Sequence, residues 1–142
     1  APMSYAKPLP VPDPDSAHFW AGCRSHRLLI QRCHACGTHR FPAGPFCPAC
    51  RSRDADWIEA SGRATVFSWI VVRHPVPRDV YQEDVPYVVA LVTLEEGPRM
   101  ATNIVGCPPE AVTAGMPVEV VFEEVTAEIA LPHFRPAAAG VR

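Results

Sequence analysis

The chain has 142 residues, of which 48% are hydrophobic and 20% are charged, and its formal net charge at pH 7 is −2. This composition is typical of one globular domain, or of two very small ones, and it excludes a wholly disordered chain. No apolar run approaches the roughly 18 residues that span a bilayer, and the N-terminus lacks the apolar core of a secretory signal, so we expect the protein in the cytoplasm.

The first predicted elements are an extended, proline-rich N-terminus over residues 1–14 and, after it, a short helix. Alternating prolines keep residues 8–14 extended and unable to donate to a sheet. A helix follows because Phe19, Trp20 and Cys23 recur at helical spacing behind two candidate N-caps, Asp15 and Ser16. Short strands are predicted in RLLIQRC, HRFPA and DWIEAS. Residues 15–60 therefore form one small unit of a helix and short strands, which buries too little surface to fold well by itself.

Four of the six cysteines form two Cys-x-x-Cys pairs, separated by ten residues. Each pair makes a tight turn, or knuckle, that points two sulfurs at one ion, and two facing knuckles complete the tetrahedral thiolate site of a structural zinc. Gly37 suits the first knuckle because glycine accepts a positive φ, whereas Arg51 at the equivalent position is a departure. The predicted metal ligands are Cys33, Cys36, Cys47 and Cys50. Residues 15–60 are therefore predicted to form a helix plus zinc ribbon that depends on its metal to fold.

Other interpretations of the cysteines remain open at this stage. Two disulfides are unusual in a cytosolic chain, a redox Cys-x-x-Cys commonly occurs singly, and four thiolates could also hold iron. His34 and His39 could each replace a thiolate, although surface histidines are the favoured interpretation. Cys23 and Cys107 are interpreted as ordinary buried or turn thiols, because no base that would activate them is evident nearby.

Residues 61–136 are predicted to form a five-stranded OB-fold barrel, followed by a short tail over residues 137–142. Segments rich in β-branched and aromatic residues alternate with turns, and Pro109 suits the first position of a helical turn between the third and fourth strands. In the fourth strand Val118, Val120 and Phe122 should share one face, opposite Glu119, Val121 and Glu123. This strand count and the position of the gap fit an OB barrel, and an SH3-like or split barrel is the alternative. The predicted fold class is mainly β.

Charge is divided unevenly along the chain. The stretch from Arg24 to Arg63 carries seven arginines and three acids, whereas the stretch from Asp79 to Glu128 carries ten acids and one arginine. OB barrels commonly bind single-stranded nucleic acid through a basic groove and stacking aromatics, but an acidic barrel repels phosphate. The aromatic residues Phe67, Trp69 and Tyr87 are expected to pack inside the barrel. Nucleic-acid binding is therefore kept only as an alternative.

No catalytic residues are predicted. The histidines are scattered, and the sequence contains no G-x-S-x-G motif, P-loop or dinucleotide fingerprint. His74 lies at a strand end, where a structural role is more common than catalysis. The acids Asp79, Glu83 and Asp84 cluster in a loop, as solvated acids usually do. The residues thus favour a binding or accessory role over an independent enzyme.

The order of these motifs resembles one known family from Asp15 to Pro136. The segments that carry the resemblance are RLLIQRCHACGTHRFPAGPFCPAC, DWIEASGRATVFSWIVVRHP, PYVVALVTLEEGPRMATNIVG, GMPVEVVF and LPHFRP. They are similar to the zinc-ribbon and OB-fold family of acyl-CoA-associated proteins catalogued as domain of unknown function thirty-five. The four cysteines of the two knuckles match the zinc ligands of that family one by one.

The resemblance implies a non-catalytic accessory subunit that works beside a larger enzyme of the thiolase superfamily. Such partners are thiolases, acyltransferases or lipid-transfer-protein-like retro-aldolases of steroid side-chain degradation, and a MaoC-like enoyl-CoA hydratase is the alternative partner. The catalytic groups would belong to the partner, while the barrel helps to form the channel for the acyl-CoA. Paired copies on a partner dimer, a heterotetramer, are expected. The sequence does not choose among the substrates or reactions.

Candidate contacts of the acyl-CoA and of the partner follow from this expectation. The strand-end residues Arg73 and His74, with Tyr87 and Asn103, are predicted to face the channel. The apolar residues of the proline-bounded loop should contribute to the interface with the partner, because a monomer would expose them; they are Val76, Val80, Tyr81 and Val85.

Overall fold

A computed structural model describes residues 5–137, in which a helix and a three-stranded ribbon precede a five-stranded barrel. Residues 1–4 of the predicted N-terminal segment and 138–142 of the predicted tail lie outside the described residues. The first module contains α1 (Ala17–Arg24), β1 (Leu29–Cys33), β2 (His39–Arg40) and β3 (Ala55–Glu59). The barrel contains β4 (Arg63–Val72), β5 (Tyr87–Leu94), β6 (Arg99–Ile104), β7 (Pro117–Glu124) and β8 (Ala130–Pro136), with α2 (Arg78–Tyr81) and a 3₁₀ turn (Pro109–Ala111) between strands.

Helix α1 begins at Ala17, directly after Ser16, which was one of the two predicted N-cap residues. The side chain of Ser16, a predicted N-cap, makes no cap hydrogen bond to the helix. Instead, the Asp13 carboxylate accepts the Ser16 N–H at 2.8 Å, and the Ser16 hydroxyl accepts the Asp13 N–H at 3.1 Å. These hydrogen bonds to Ser16 lower the pKa of Asp13. The two hydrogen bonds form a reciprocal pair, similar to a capping box, in the turn that precedes α1.

The ribbon is a three-stranded antiparallel sheet in the order β2-β1-β3, with Gln31 and Arg40 paired across it. The Gln31 side-chain oxygen accepts hydrogen bonds from Arg40 Nε at 2.9 Å and from the Gly44 N–H at 3.0 Å. The Arg40 guanidinium also donates to the Gly44 carbonyl at 3.1 Å. Both side chains are buried. This network fixes the turn that leads from one knuckle to the other.

Replacing Gln31 with alanine is therefore expected to destabilise the metal-loaded protein by about 2 kcal/mol, because the buried Arg40 and the half-buried Gly44 N–H lose their shared acceptor. Urea unfolding, followed by circular dichroism, measures the difference. Gln82→Ala is the matched control, since Gln82 is exposed, and it should change little. Equal unfolding midpoints for the two variants would show that the network contributes no stability.

The barrel strands close in the order β4-β5-β6-β8-β7, and β7 returns to β4. The pair of β6 and β8 is parallel and the other pairs are antiparallel. This is the five-stranded OB arrangement, so the prediction of the fold class is confirmed and the SH3-like alternative is not. The 3₁₀ turn at Pro109 fills the predicted gap between the third and fourth barrel strands. The short helix α2, by contrast, was not predicted within the proline-bounded loop.

One hydrophobic core joins the first module to the barrel. Phe19 and Cys23 of α1 belong to the same buried cluster as Val118 and the fully buried Phe134. As predicted from the alternation in β7, Val120 and Phe122 share a face with Val118, and they pack against this core. The helix-and-ribbon module is thus held by apolar contacts as well as by its own hydrogen bonds. No helix among residues 5–137 is long and apolar enough to cross a membrane.

A β-bulge reverses the expected orientation of one aromatic residue. The pairing of β4 with β5 shifts between Val66 and Ser68, so Phe67 is extra in β4 and its side chain is 50% exposed. Trp69 packs against the core as expected. Tyr87 is half-buried but alternates with the buried Val88, so it also lies on the outer surface. The expectation that Phe67 and Tyr87 pack inside the barrel was wrong.

Candidate metal centre and ligand-binding grooves

The four predicted cysteine ligands come together at the end of the ribbon, where their sulfur atoms all lie within 4.8 Å of one another. Cys33 Sγ lies 3.5 Å from Cys50 Sγ, and Cys36 Sγ lies 3.7 Å from Cys47 Sγ. Sulfurs at these separations are not disulfide-bonded, and all four residues are free cysteines. Four converging thiols are the donor set that a tetrahedral zinc ion requires.

The two knuckles have nearly the same backbone geometry. The Gly37 N–H donates to the Cys33 carbonyl at 2.9 Å, and the Arg51 N–H donates to the Cys47 carbonyl at 2.8 Å. Gly37 has a φ of 79° and Arg51 a φ of 68°. The geometry that glycine supplies freely in the first knuckle is imposed on an arginine in the second, at a cost of about 1–2 kcal/mol.

Hydrogen bonds favour the thiolate form of Cys36 and Cys47. At Cys50 a hydrogen bond with the Ser52 backbone acts in the same direction, but the neighbouring cysteine side chains outweigh it and raise the pKa of Cys50 to about 12. The Thr38 hydroxyl lies 3.1 Å from Cys36 Sγ, and this interaction lowers the pKa of Cys36 to about 6. A hydrogen bond from the Cys50 backbone lowers the pKa of Cys47, whose sulfur also accepts the Ala49 N–H at 3.3 Å. Because a thiolate is the form that binds metal, the surrounding groups fit a metal centre.

The remaining cysteines and the two ribbon histidines lie outside the four-sulfur cluster. Burial raises the pKa of Cys23 to about 12, so its thiol stays protonated and inert. Cys107 is half-buried in its turn. His34 contacts Asp56 Oδ2 through Nδ1 at 3.2 Å. Within residues 5–137, the only group of His, Cys, Asp and Glu side chains positioned to hold a metal is the set of four cysteines, so neither His34 nor His39 takes part.

Two of the predicted substrate contacts, Tyr87 and Asn103, line one groove on the outside of the barrel. This barrel groove has a volume of about 650 Å³ and lies across β5, β6 and β8. The Asn103 side chain donates to the Val88 carbonyl at 2.9 Å, which holds it at the groove wall. His133 Nε2 lies 2.9 Å from a Glu123 carboxylate oxygen, and His133 Nδ1 is buried with no hydrogen-bond partner among residues 5–137.

The N-terminal segment forms one side of the barrel groove. Lys7 Nζ lies 3.0 Å from Asp84 and within 6 Å of the ring centres of Tyr5 and Tyr81. Burial raises the pKa of Tyr5. Sequence analysis missed Tyr5, Lys7 and His133 as groove residues. Their distance from Tyr87 along the chain left no local signal, although the prediction of an extended N-terminus was compatible with such a contact.

Arg73 and His74 do not line the barrel groove. His74 lies in a second groove of about 730 Å³, the loop groove, together with Pro75, Arg78, Gln82 and Glu83. Arg73 is exposed and lies 3.8 Å from a Glu110 carboxylate oxygen. The structure therefore brings Tyr87 and Asn103 together but leaves Arg73 and His74 in a different part of the barrel surface.

The fold and the four-cysteine centre agree with comparisons to known proteins. Family models match residues 20–55, described as the ChsH2 rubredoxin-like zinc ribbon domain, and residues 57–123, described as the ChsH2 C-terminal OB-fold domain. A solved structure titled "Ltp2-ChsH2(DUF35) aldolase" is 46% identical with a TM-score of 0.82, covering 92% of this chain and all of that one.

Two curated proteins are also similar. A probable enoyl-CoA hydratase alpha subunit of Thermomonospora curvata is 47% identical over 92% of this chain, which spans only 40% of that longer protein. A DUF35 domain-containing scaffold protein of Methanocaldococcus jannaschii is 43% identical over 75% of this chain and 75% of its own length. The four cysteines, the OB barrel and this similarity together establish that the chain belongs to the DUF35 family.

Proposed function

We propose that the protein is a non-catalytic accessory subunit that docks on a catalytic subunit of the thiolase superfamily and helps to form its acyl-CoA channel. The observation that carries this proposal is an uncovered apolar face on β4 and β5. Ile70 is 63% exposed, Phe67 50% and Leu91 39%. Apolar side chains concentrated on one sheet surface mark an interaction site more often than scattered ones do.

The strand register places these side chains next to one another. Ile70 pairs with Val89 across the two strands, and Leu91 pairs with Ser68, the residue that follows Phe67. Four neighbouring apolar side chains therefore form one docking face, namely Phe67, Ile70, Val89 and Leu91. The Arg99 guanidinium lies 3.6 Å from the centre of the Phe67 ring and borders the face with a positive charge. The proposed occupant is the catalytic subunit, since a similar solved protein is titled as an aldolase of two components, Ltp2 and ChsH2.

A retro-aldolase acting on a steroid-type acyl-CoA is the favoured partner. In such an assembly the barrel groove, with Tyr87 and Asn103, and the loop groove, with His74 and the neighbouring Arg73, would contact the acyl-CoA. Two copies of the chain on a partner dimer would make a heterotetramer. The buried, protonated Cys23 thiol is consistent with leaving the chemistry to the partner.

We also propose that the ribbon holds one structural zinc ion in each chain. The four converging sulfurs and the lowered pKa of Cys36 support this, and a closed thiolate site stabilises the fold without performing chemistry. Iron remains the alternative ion, which metal analysis distinguishes. Free thiols persist in reducing compartments, so we propose the cytoplasm as the location.

An enoyl-CoA hydratase is the second candidate partner, favoured by the 47% identity to a probable hydratase alpha subunit. Nucleic-acid binding has less support, because β7 carries three carboxylates that would repel phosphate, those of Glu119, Glu123 and Glu124. Mass identification of the subunit that co-purifies with the tagged chain from its native cell distinguishes an aldolase, a thiolase and a hydratase.

The docking face is tested with Ile70→Glu in gel filtration against that co-purified subunit. Wild type should co-elute, whereas a carboxylate buried without a partner in an apolar interface should weaken the complex at least about tenfold. Val11→Glu is the matched control, since Val11 is 84% exposed outside the face, and it should bind like wild type. Undiminished binding by Ile70→Glu would exclude this face as the interface.

A further inference from the structure

The two knuckles have nearly the same backbone geometry, but the residue after the second cysteine is a glycine in the first knuckle and an arginine in the second. Arg51 has a φ of 68°, and its N–H makes the same turn hydrogen bond as that of Gly37. A side chain held in a strained backbone conformation suggests that the side chain itself has a use. Nothing in the knuckle explains the arginine, because a glycine at this position would satisfy the same backbone bonds.

Neither Arg51 nor the neighbouring Arg53 has an ion pair or a side-chain hydrogen bond within residues 5–137. Other arginines nearby do: Arg27 pairs with Glu59 at 3.0 Å, and Arg40 bonds to Gln31. Arg53 also lines an adjacent groove with Asp54 and Asp56, in which Asp56 contacts His34, but neither carboxylate forms an ion pair with Arg53. The two exposed guanidinium groups therefore keep their donors available to an external ligand.

The side chains of Arg51 and Arg53 line a groove with an exposed aromatic ring. This knuckle groove has a volume of about 430 Å³ and is formed by Phe46, Cys47, Pro48, Arg51 and Arg53. Phe46 is 51% exposed, and the Arg53 guanidinium carbon lies 6.0 Å from the centre of its ring. The aromatic ring offers a flat apolar surface on which a planar ring can stack. The two guanidinium groups beside it can donate hydrogen bonds to phosphate oxygens of the same ligand.

We propose that the knuckle groove binds the phosphorylated adenosine end of an acyl-CoA. The inference rests on the proposed function, because an acyl-CoA combines a planar base with a ribose phosphate and a diphosphate. Phe46 stacks on the adenine, while Arg51 and Arg53 hold the phosphates. A single-stranded nucleic acid offers similar groups, but its continuous backbone would also have to pass the acidic barrel.

Titration calorimetry of the metal-loaded chain with adenosine 3′,5′-bisphosphate tests the proposal. Arg51→Gly should bind at least about tenfold more weakly, because charge-assisted hydrogen bonds are lost, while its unfolding midpoint stays equal or rises, because glycine relieves the strain. Arg53→Gln should also bind more weakly. Arg24→Gln removes the same charge from α1 and should bind within about twofold of wild type.

The proposal is overturned if wild type does not bind the bisphosphate, if Arg51→Gly binds as wild type does, or if Arg24→Gln weakens binding equally. If the chain binds a single-stranded oligonucleotide more tightly than the bisphosphate, and this binding also depends on Arg51 and Arg53, the proposal is overturned in favour of nucleic acid.

Gel filtration with the catalytic subunit separates this proposal from the proposed accessory role. An intact complex without bisphosphate binding refutes only the knuckle groove, whereas bisphosphate binding without a complex refutes only the accessory role.

Discussion

The variant Cys47→Ser is expected to lose its metal and to unfold the ribbon. Cys47 is fully buried and its sulfur lies 3.7 Å from Cys36 Sγ, so its replacement removes one of four converging ligands. Structural zinc contributes about 10–16 kcal/mol in small zinc domains, far more than the ribbon's three short strands provide. Metal content, measured by mass spectrometry of the purified protein, should fall from about one ion per chain to nearly none.

Cys107→Ser is the matched control, because Cys107 is a half-buried turn cysteine outside the cluster. It should keep its metal and its unfolding midpoint. Wild-type protein that is metal-free yet fully folded would contradict the zinc assignment. Iron in place of zinc would leave the ligand assignment intact but change the identity of the ion.

The variant Phe134→Ala is expected to destabilise the protein by about 3–5 kcal/mol, the second largest effect. Phe134 has no exposed surface and belongs to the core shared by the barrel and α1. It lies in β8 opposite Ile104, at the parallel pair that helps to close the barrel. A cavity at this point weakens both modules at once, and equilibrium unfolding in urea measures the loss.

Phe67→Ala provides the control, because Phe67 is half exposed on the bulge of β4. Losing its contact with Arg99 should cost less than about 1 kcal/mol. If the two variants unfold at the same denaturant concentration, the core does not extend through β8 as described.

The metal centre and the barrel strands could be predicted from the sequence because their signals are local. Cys-x-x-Cys spacing fixes the geometry of each knuckle, and alternation in β7 places the side chains of Val118 and Val120 on one face. The bulge at Phe67 could not be predicted, because it depends on how β4 pairs with β5, and one extra residue reverses the alternation. The same limit applies to Asp13, whose capping role appears only in its contact with Ser16.

The grooves were the least predictable part of the molecule. Tyr87 and Asn103 were expected to share a surface, and they do, since β5 pairs with β6. Tyr5 and His133 reach the same groove from opposite ends of the chain, which only the closed barrel brings together. Arg73 and His74 directly follow β4, where the chain leaves the barrel wall, so His74 lines a separate groove and Arg73 lies beside Glu110.

The most direct test of the accessory role is the mass of the complex with the co-purified catalytic subunit, measured by light scattering during gel filtration. A mass equal to two copies of each chain is the predicted result, with Ile70→Glu eluting apart from the subunit. Elution of the wild-type chain at its own 15.5 kDa, with no thiolase-like or hydratase-like companion, would contradict the account.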